Sequence, residues 1–120
     1  MHWSDSAIPQ PSSFWKRSMW EQAGGVDQDI HYAMDYDLYS RFGALGYRPI
    51  LTGEPISAFR LHEKQKSSCR YPFIVDEIRI VQKWLEKPMD HHDHAILTEY
   101  EAWLNEMLQG MIHLESASGE

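Results

Sequence analysis

The feature that most constrains the fold is a change in apolar spacing at Pro72. Before this residue, glycines and prolines cut the chain into short segments; after it, apolar residues recur every three or four positions along two longer stretches. The two stretches are Ile74, Ile78, Val81 and Leu85, then Ile96, Tyr100, Trp103, Met107 and Met111. Such spacing marks one face of an amphipathic helix. It predicts a helical hairpin over residues 71–114, followed by a flexible polar tail at 115–120.

Residues 1–70 read as a mixture of short helices and short strands. Ser18 and Glu21 have the spacing of a capping box, which predicts a helix over Met19–Ala23. Asp35 precedes apolar residues at helical spacing and is predicted to be the N-cap of a second helix. Three segments read as strands: Ser13–Lys16, Tyr47–Leu51 and Ile56–Leu61. The predicted fold class is therefore α/β, a mixed α+β fragment with a partial sheet.

Composition narrows the range of partners. Eleven Lys and Arg against eighteen Asp and Glu give a net charge of −7, which disfavours nucleic acid and anionic membrane surfaces. Cys69 is the single cysteine, so no internal disulfide is expected and a cytoplasmic location is the default. No apolar run reaches the roughly 20 residues that a transmembrane helix needs.

Four segments, taken together, resemble one protein family. They are the run from Ile8 to Arg17, Gly24-Gly25-Val26-Asp27, the run from Tyr32 to Phe42, and Phe59-Arg60-Leu61-His62 with Lys66. Their order and approximate spacing are similar to the acceptor-side, C-terminal part of the catalytic domain in family 2 (GT-A fold) glycosyltransferases. The resemblance covers roughly residues 8 to 67 and is more specific than any single motif.

The resemblance implies a partial GT-A-like sheet in residues 1–70, with the hairpin at 71–114 packed on it. It also implies inverting transfer of a sugar from a nucleoside diphosphate sugar to the hydroxyl of a glycan acceptor, with Mg or Mn holding the diphosphate. Polysaccharide and cell-envelope glycan synthesis, in the cytoplasm or at the inner face of the membrane, is the usual setting of the family.

Asp35 occupies the position of the catalytic base in this resemblance. An acceptor hydroxyl needs a carboxylate within hydrogen-bond reach to take its proton as the glycosidic bond forms. Local sequence equally allows a structural role, because a carboxylate at a helix start accepts backbone N–H groups. The two roles are compatible. The family often has an acidic residue just before the base, where this chain has Met34.

Four residues are expected on the acceptor side: Gln10, Trp15, Arg17 and Asp37. Aromatic faces and amide or guanidinium donors suit sugar rings and their hydroxyls. Structural alternatives stay open, since Trp15 could be a core residue, Arg17 a solvated one, and Asp37 a carboxylate that favours the first turn of a helix. Arg41 is interpreted as an ion-pair partner within the scaffold.

Three residues are expected near the diphosphate and metal: Arg60, His62 and Lys66. A neutral imidazole can bind a transition metal, which makes His62 the candidate ligand, and an ammonium such as that of Lys66 can offset phosphate charge. The alternatives are a surface histidine and a solvated lysine. The cluster Asp90-His91-His92-Asp93-His94 also suggests a metal site, but a solvated turn between the helices is favoured because adjacent side chains diverge.

The chain lacks the family's nucleotide-binding half and its metal-binding Asp-x-Asp pair. Met34-Asp35-Tyr36-Asp37 has Asp-x-Asp spacing, but its place in the family's order matches the acceptor-base site. These residues alone are therefore expected to bind no metal or donor and to have little turnover, as a fragment of a larger enzyme. The alternative is a non-catalytic interaction module that forms a homodimer through its exposed sheet edge or through the hairpin.

Overall fold

Every regular element of the described chain is helical. The computed structural model describes residues 8–58 and 60–117. It contains α1 (Arg17–Ala23), α2 (Met34–Ala44), α3 (Tyr71–Leu85), α4 (His91–Ala117) and two short 3-10 turns at Gln10–Ser12 and Lys66–Ser68. No residue in the described ranges lies in a strand. The predicted α/β class, with its partial GT-A-like sheet, is therefore wrong, and so is the exposed sheet edge.

The three predicted strands are instead stretches without regular structure. Residues 13–16, 47–51 and the described part of 56–61 pair with no other strand in the described chain, and Phe59 lies outside the described residues. Ile50 and Leu51 are 91% and 88% exposed. A strand satisfies its backbone hydrogen bonds only through a neighbouring strand. The local pattern was strand-like, but the described chain supplies no neighbour.

The chain divides into two compact units, Met1–Ser68 and Cys69–Glu120. The first holds α1 and α2, which contact each other, and the second holds α3 and α4, which form a more extensive contact. The sequence placed this boundary after residue 70.

In the first unit, both helices begin earlier than the capping patterns predicted. Helix α1 starts at Arg17, with Lys16 in the N-cap position, and ends at Gly24, whose φ of 81° lies in the left-handed region. Helix α2 starts at Met34, with Ala33 as its N-cap. Neither N-cap has a side-chain hydrogen bond, so Ser18 and Asp35 are not the caps that the sequence predicted.

A close backbone approach follows α1. Gly25 has a φ of 74°, and a Cβ at this position would lie 3.2 Å from the indole of Trp20. A side chain there would strain the backbone and press on the ring. The chain then returns through the buried Ile30 and Ala33 to the start of α2.

The second unit contains the two predicted amphipathic helices. On α3, Ile74, Ile78 and Val81 are buried as the spacing predicted, and Ile80 is buried as well. On α4 the prediction was right only in part: Tyr100 of the predicted stripe contacts α3, but the fully buried residues are Leu97 and Leu104, and Trp103 is 47% exposed. Each buried leucine directly follows a residue of the predicted stripe, while Tyr100 of that stripe still contacts Glu77 on α3, so the face in contact with α3 is turned by roughly 70°.

The link between these helices also differs from the prediction. The carboxylate of Asp90 accepts the N–H of Asp93 at 2.9 Å, and its carbonyl accepts the N–H of His94 at 3.0 Å. Asp90 therefore caps α4, and residues 91–94 form the first turn of the helix instead of a solvated turn between helices. Within the described residues, no helix has the length and apolar character needed to cross a membrane.

Candidate functional site

The carboxylate of Asp35 is held in the first turn of α2. The N–H of Tyr36 donates to Asp35 Oδ1 at 2.9 Å, and the side chain is only partly buried. The loop before the helix is fixed by its own contacts, because Asp27 accepts the N–H of Asp29 at 3.0 Å and Ile30 is buried. A carboxylate oriented in this way, near the positive end of a helix and still reached by solvent, can accept a proton from a bound hydroxyl.

Asp37 occupies a different environment on the same helix. Its Oδ2 accepts hydrogen bonds from Arg41 Nη2 at 2.7 Å and Arg41 Nε at 3.1 Å, and its side chain is buried. Arg41 also donates to the carbonyl of Ala23, which ties the end of α1 to α2. The expected scaffold ion-pair role of Arg41 is confirmed. These contacts give Asp37 a structural role, and its predicted acceptor contact stays a prediction.

Tyr39 lies one helical turn after Asp35 and was not predicted as a site residue. Its hydroxyl oxygen is buried and has no hydrogen-bond partner within the described part of the chain. Burial raises the pKa of Tyr39, the nearby Ser13 hydroxyl lowers it, and the Asp35 carboxylate raises it again. The Ser13 hydroxyl donates instead to the carbonyl of Pro9 at 2.8 Å. The Tyr39 hydroxyl is therefore buried and neutral, and no group in the described residues meets hydrogen-bond geometry with it, although the Ser13 hydroxyl is close enough to act on its pKa.

Trp15 joins this group through ring contacts. Its ring is 6.1 Å from that of Tyr39 in an edge-on arrangement and 5.9 Å from that of Phe42. It also stacks on Trp20, with centroids 6.4 Å apart and planes within 6° of parallel. Trp15 is thus part of an aromatic cluster and contacts Tyr39, whose pKa is raised in part by the Asp35 carboxylate. We call Trp15, Asp35 and Tyr39 the Asp35 face.

The two other predicted acceptor residues lie on the surface. Gln10 is exposed, and its carbonyl accepts the N–H of Ser13 at 3.2 Å. Arg17 is the first residue of α1, and its Nε pairs with Glu21 Oε1 at 3.0 Å. Both members of that pair are well exposed to solvent, so it adds little to stability. No contact of Gln10 or Arg17 in the described chain joins either residue to the Asp35 face.

Of the three residues predicted near the diphosphate, Lys66 is the one with contacts close to α2. Its Nζ lies 5.5 Å from the ring centroid of Tyr32 and 3.5 Å from the carbonyl of His31. Both contacted residues immediately precede α2, so the 3-10 turn at Lys66–Ser68 lies against the entrance to that helix. A cation held over an aromatic ring is attracted by the ring's negative face.

Arg60 and His62 are exposed. The backbone of His62 is fixed by Gln65, which accepts its N–H at 3.2 Å through Oε1. Across the described ranges, no group of three or more His, Cys, Asp or Glu side chains is arranged to hold a metal ion. The described residues therefore do not complete a metal site around His62, nor at Asp90–His94.

The sequence analysis named Asp35 and Trp15 as candidate site residues but did not name Tyr39. The available signal was the four-residue spacing between Asp35 and Tyr39, which places the two side chains on one side of a helix. No family model matches this chain, and neither a curated protein nor a solved structure matches it.

Proposed function

We propose that this chain is the acceptor-binding and catalytic-base segment of an inverting glycosyltransferase, which moves a sugar from a nucleoside diphosphate sugar to an acceptor hydroxyl. The observation that carries the proposal is the Asp35 face. It combines a partly exposed carboxylate fixed by the Tyr36 N–H, a buried tyrosine hydroxyl without a partner, and an aromatic ring. The order of motifs along residues 8 to 67 adds the resemblance to family 2 glycosyltransferases.

In the proposed reaction, Asp35 takes the proton of the attacking acceptor hydroxyl. The hydroxyl oxygen forms the new bond to the anomeric carbon while the bond from that carbon to the diphosphate breaks on the opposite side. Loss of the proton to Asp35 makes the oxygen a stronger nucleophile as the bond forms. The hydrogen bond from Tyr36 keeps the carboxylate in one orientation, which favours a short approach to the hydroxyl.

Tyr39 and Trp15 would orient the acceptor. The Tyr39 hydroxyl has no partner in the described chain but is buried, so it donates to an acceptor oxygen only after a neighbouring side chain moves. Trp15 offers an aromatic surface next to it, and such surfaces suit the apolar faces of sugar rings. A polyhydroxylated acceptor therefore fits this face better than a fully apolar one.

Lys66 is proposed to face the departing diphosphate, since its position at the entrance to α2 allows an ammonium to offset phosphate charge. Mg or Mn would supply the remaining charge neutralisation when bound. His62 is the candidate ligand, but the described residues do not complete a metal site, so no step here depends on the ion. Glycan synthesis for the cell envelope, at the cytoplasmic face of a membrane, is the proposed setting.

The test compares the full-length gene product with its Asp35→Asn variant. The assay supplies a panel of nucleotide sugars and glycan acceptors with Mg or Mn and measures released nucleoside diphosphate. We expect turnover to fall roughly 100-fold or more, because the amide cannot take a proton. Asp29→Asn is the matched control, since it makes the same chemical change at an exposed loop position, and it should retain full turnover.

Circular dichroism of both variants would check that their helical content is unchanged and the fold is intact. Unchanged turnover in Asp35→Asn would remove the catalytic assignment and leave Asp35 with a structural role. A wild-type protein that is inactive with every donor would favour the interaction-module alternative.

A further inference from the structure

Helix α4 carries a second apolar stripe outside its contact with α3. Ile96, Trp103, Met107, Gly110 and Leu114 follow one another at intervals of seven, four, three and four residues. At 100° per residue, these positions fall on one side of the helix within about 60°. The buried Leu97 and Leu104 lie about 90–110° from the centre of this set. We call this set the α4 outer stripe.

The outer stripe is open to solvent along its C-terminal part. Trp103 is 47% exposed and Leu114 is 72% exposed. Between them, Gly110 has no heavy atom within 4 Å of the position that its Cβ would occupy, so the helix surface is bare there. The bare surface at Gly110 thus lies between the half-buried Met107 and the exposed Leu114, which suits the insertion of a side chain from a partner.

The lengths of the two helices explain why this part of α4 has no cover from α3. The link of residues 86–90 is short, so α3 and α4 run antiparallel from it. Helix α3 has 15 residues and α4 has 27. About 12 residues of α4, from residue 106 onward, or roughly 18 Å, therefore extend beyond α3; this part includes Met107 and Leu114, whereas Trp103 lies just before it.

The charged side chains beside the stripe indicate which kind of partner could bind there. Helix α4 contains no Lys or Arg, and the exposed Glu99 and Glu106 lie one turn before and after Trp103. An anionic membrane surface would be repelled by this rim. A second copy of the chain would place like charges opposite each other, which is unfavourable at an interface. A helix with apolar side chains on one side and Lys or Arg beside them would match both the apolar stripe and the glutamates next to it.

We propose that the α4 outer stripe is a docking surface for a basic amphipathic helix of another protein. The partner's apolar side chains pack on Trp103, Met107 and Leu114, and its cations pair with Glu99 and Glu106. This is the helix-on-helix mode of recognition, in which an apolar seam gives affinity and the flanking charges give selectivity. It is independent of the Asp35 face and of the proposed transfer reaction.

The probe is a labelled synthetic helix of about three heptads with Leu at the a and d positions and Lys elsewhere. Its binding to the full chain is followed by fluorescence anisotropy at low and at moderate salt. We expect a dissociation constant on the order of 10 μM that rises with salt. The same peptide with Glu in place of Lys is the matched probe, and it should bind at least tenfold more weakly.

Binding of the peptide to variants of the chain tests whether the α4 outer stripe is the binding surface. Leu114→Ser should weaken binding roughly tenfold through the lost apolar contact. The double variant Glu99→Gln and Glu106→Gln should weaken it by a similar factor at low salt and flatten the salt dependence. Leu51→Ser is the matched control, because Leu51 is 88% exposed outside α4, and it should leave binding unchanged. All the changed side chains are exposed, so the variants are expected to fold.

Several outcomes would overturn the proposal. Absence of binding, equal binding of the Lys and Glu peptides, or an equal loss in Leu51→Ser would remove the stripe as a basic-helix site. A dimer of the chain alone that is lost in Leu114→Ser would assign the stripe to a second copy. Binding of zwitterionic vesicles that is lost in the same variant would assign it to a membrane.

Discussion

Apolar residues are buried in the α3–α4 pair but exposed in the segment 47–58. Along the pair, Ile74, Leu97 and Leu104 are fully buried, whereas in the segment Ile50 and Leu51 are almost fully exposed. The helices also make their backbone hydrogen bonds internally, while the segment forms neither helix nor strand. A helix makes its backbone hydrogen bonds internally and can bury its apolar face against one other helix. A strand needs a partner strand for its backbone hydrogen bonds, and the described residues contain none.

The contrast extends to buried polar groups. In the α3–α4 pair, the hydroxyl of Tyr100 donates to Glu77 Oε2 at 3.2 Å. In the first unit, the hydroxyl of Tyr39 is buried without a partner among the described residues. The second unit thus pairs the hydroxyl of its half-buried Tyr100, whereas the first unit leaves the Tyr39 hydroxyl unpaired and Ile50 and Leu51 exposed. A buried polar group without a partner is unusual and needs an explanation.

Hydrogen exchange gives the largest expected difference between the two regions. Backbone amides of Ile78 and Ile80 in α3 should exchange at least about 1000-fold more slowly than those of Ile50 and Leu51, because α3 opens only with its unit and the segment is already open. Exchange followed by NMR or mass spectrometry measures this. Slow exchange at Ile50 and Leu51 would mean that their amides are hydrogen-bonded, which would contradict the difference between the two regions.

A matched pair of leucine truncations tests the same contrast through stability. Leu97→Ala removes a side chain that is 0% exposed and should lower the free energy of unfolding by about 2–5 kcal/mol. Leu51→Ala removes the same atoms from an exposed position and should change it by less than about 0.5 kcal/mol. Urea unfolding followed by circular dichroism measures both. Similar losses in the two variants would show that Leu51 is packed in solution.

The sequence predicted the helices because their signals are local. Apolar spacing placed Ile74, Ile78 and Val81 in the core, and the glycine after Ala23 marked the end of α1. The spacing could not choose between the two adjacent apolar columns of α4, since Ile96 and Leu97 are both apolar, and only packing on α3 decides which one is buried. The prediction of three strands was wrong because a strand also needs a partner strand, and local sequence does not show whether one is present.

For the candidate site, the sequence supplied residue identities but not their environments. It identified Asp35 as the residue of interest at the start of α2, yet Ala33 is the N-cap and the carboxylate instead accepts the adjacent N–H of Tyr36. It could not show that Arg41 engages Asp37 or that the Tyr39 hydroxyl lacks a partner. Those facts depend on the contact between α1 and α2 and on the position of Ser13, which no local pattern encodes.

Alkaline pH should weaken the second unit through Tyr100. Burial raises the pKa of Tyr100, the charge and hydrogen bond of Glu77 raise it further, and Arg70 lowers it slightly. The unfolded hydroxyl loses its proton near pH 10, while the folded one keeps it to higher pH. Stability from this group is therefore complete below about pH 10 and falls above it, by up to about 1.4 kcal/mol per pH unit.

Urea unfolding between pH 9 and pH 11 checks this expectation. The Tyr100→Phe variant should lose less stability than the wild type over that interval, because its ring has no proton to lose. Equal losses in the two proteins would show that other groups, such as lysines, account for the pH dependence.

The smallest expected effects concern the two tyrosine hydroxyls at neutral pH, and they differ in sign. Tyr100→Phe removes the donor to Glu77 and should destabilise the chain by about 1 kcal/mol. Tyr39→Phe removes a buried hydroxyl without a partner and should be neutral or stabilising by up to about 1 kcal/mol. Urea unfolding resolves the difference. A clear loss of stability in Tyr39→Phe would mean that this hydroxyl is hydrogen-bonded in solution. A stable Tyr39→Phe protein with reduced sugar transfer would instead indicate that the hydroxyl is kept unpaired for the acceptor, at some cost in stability.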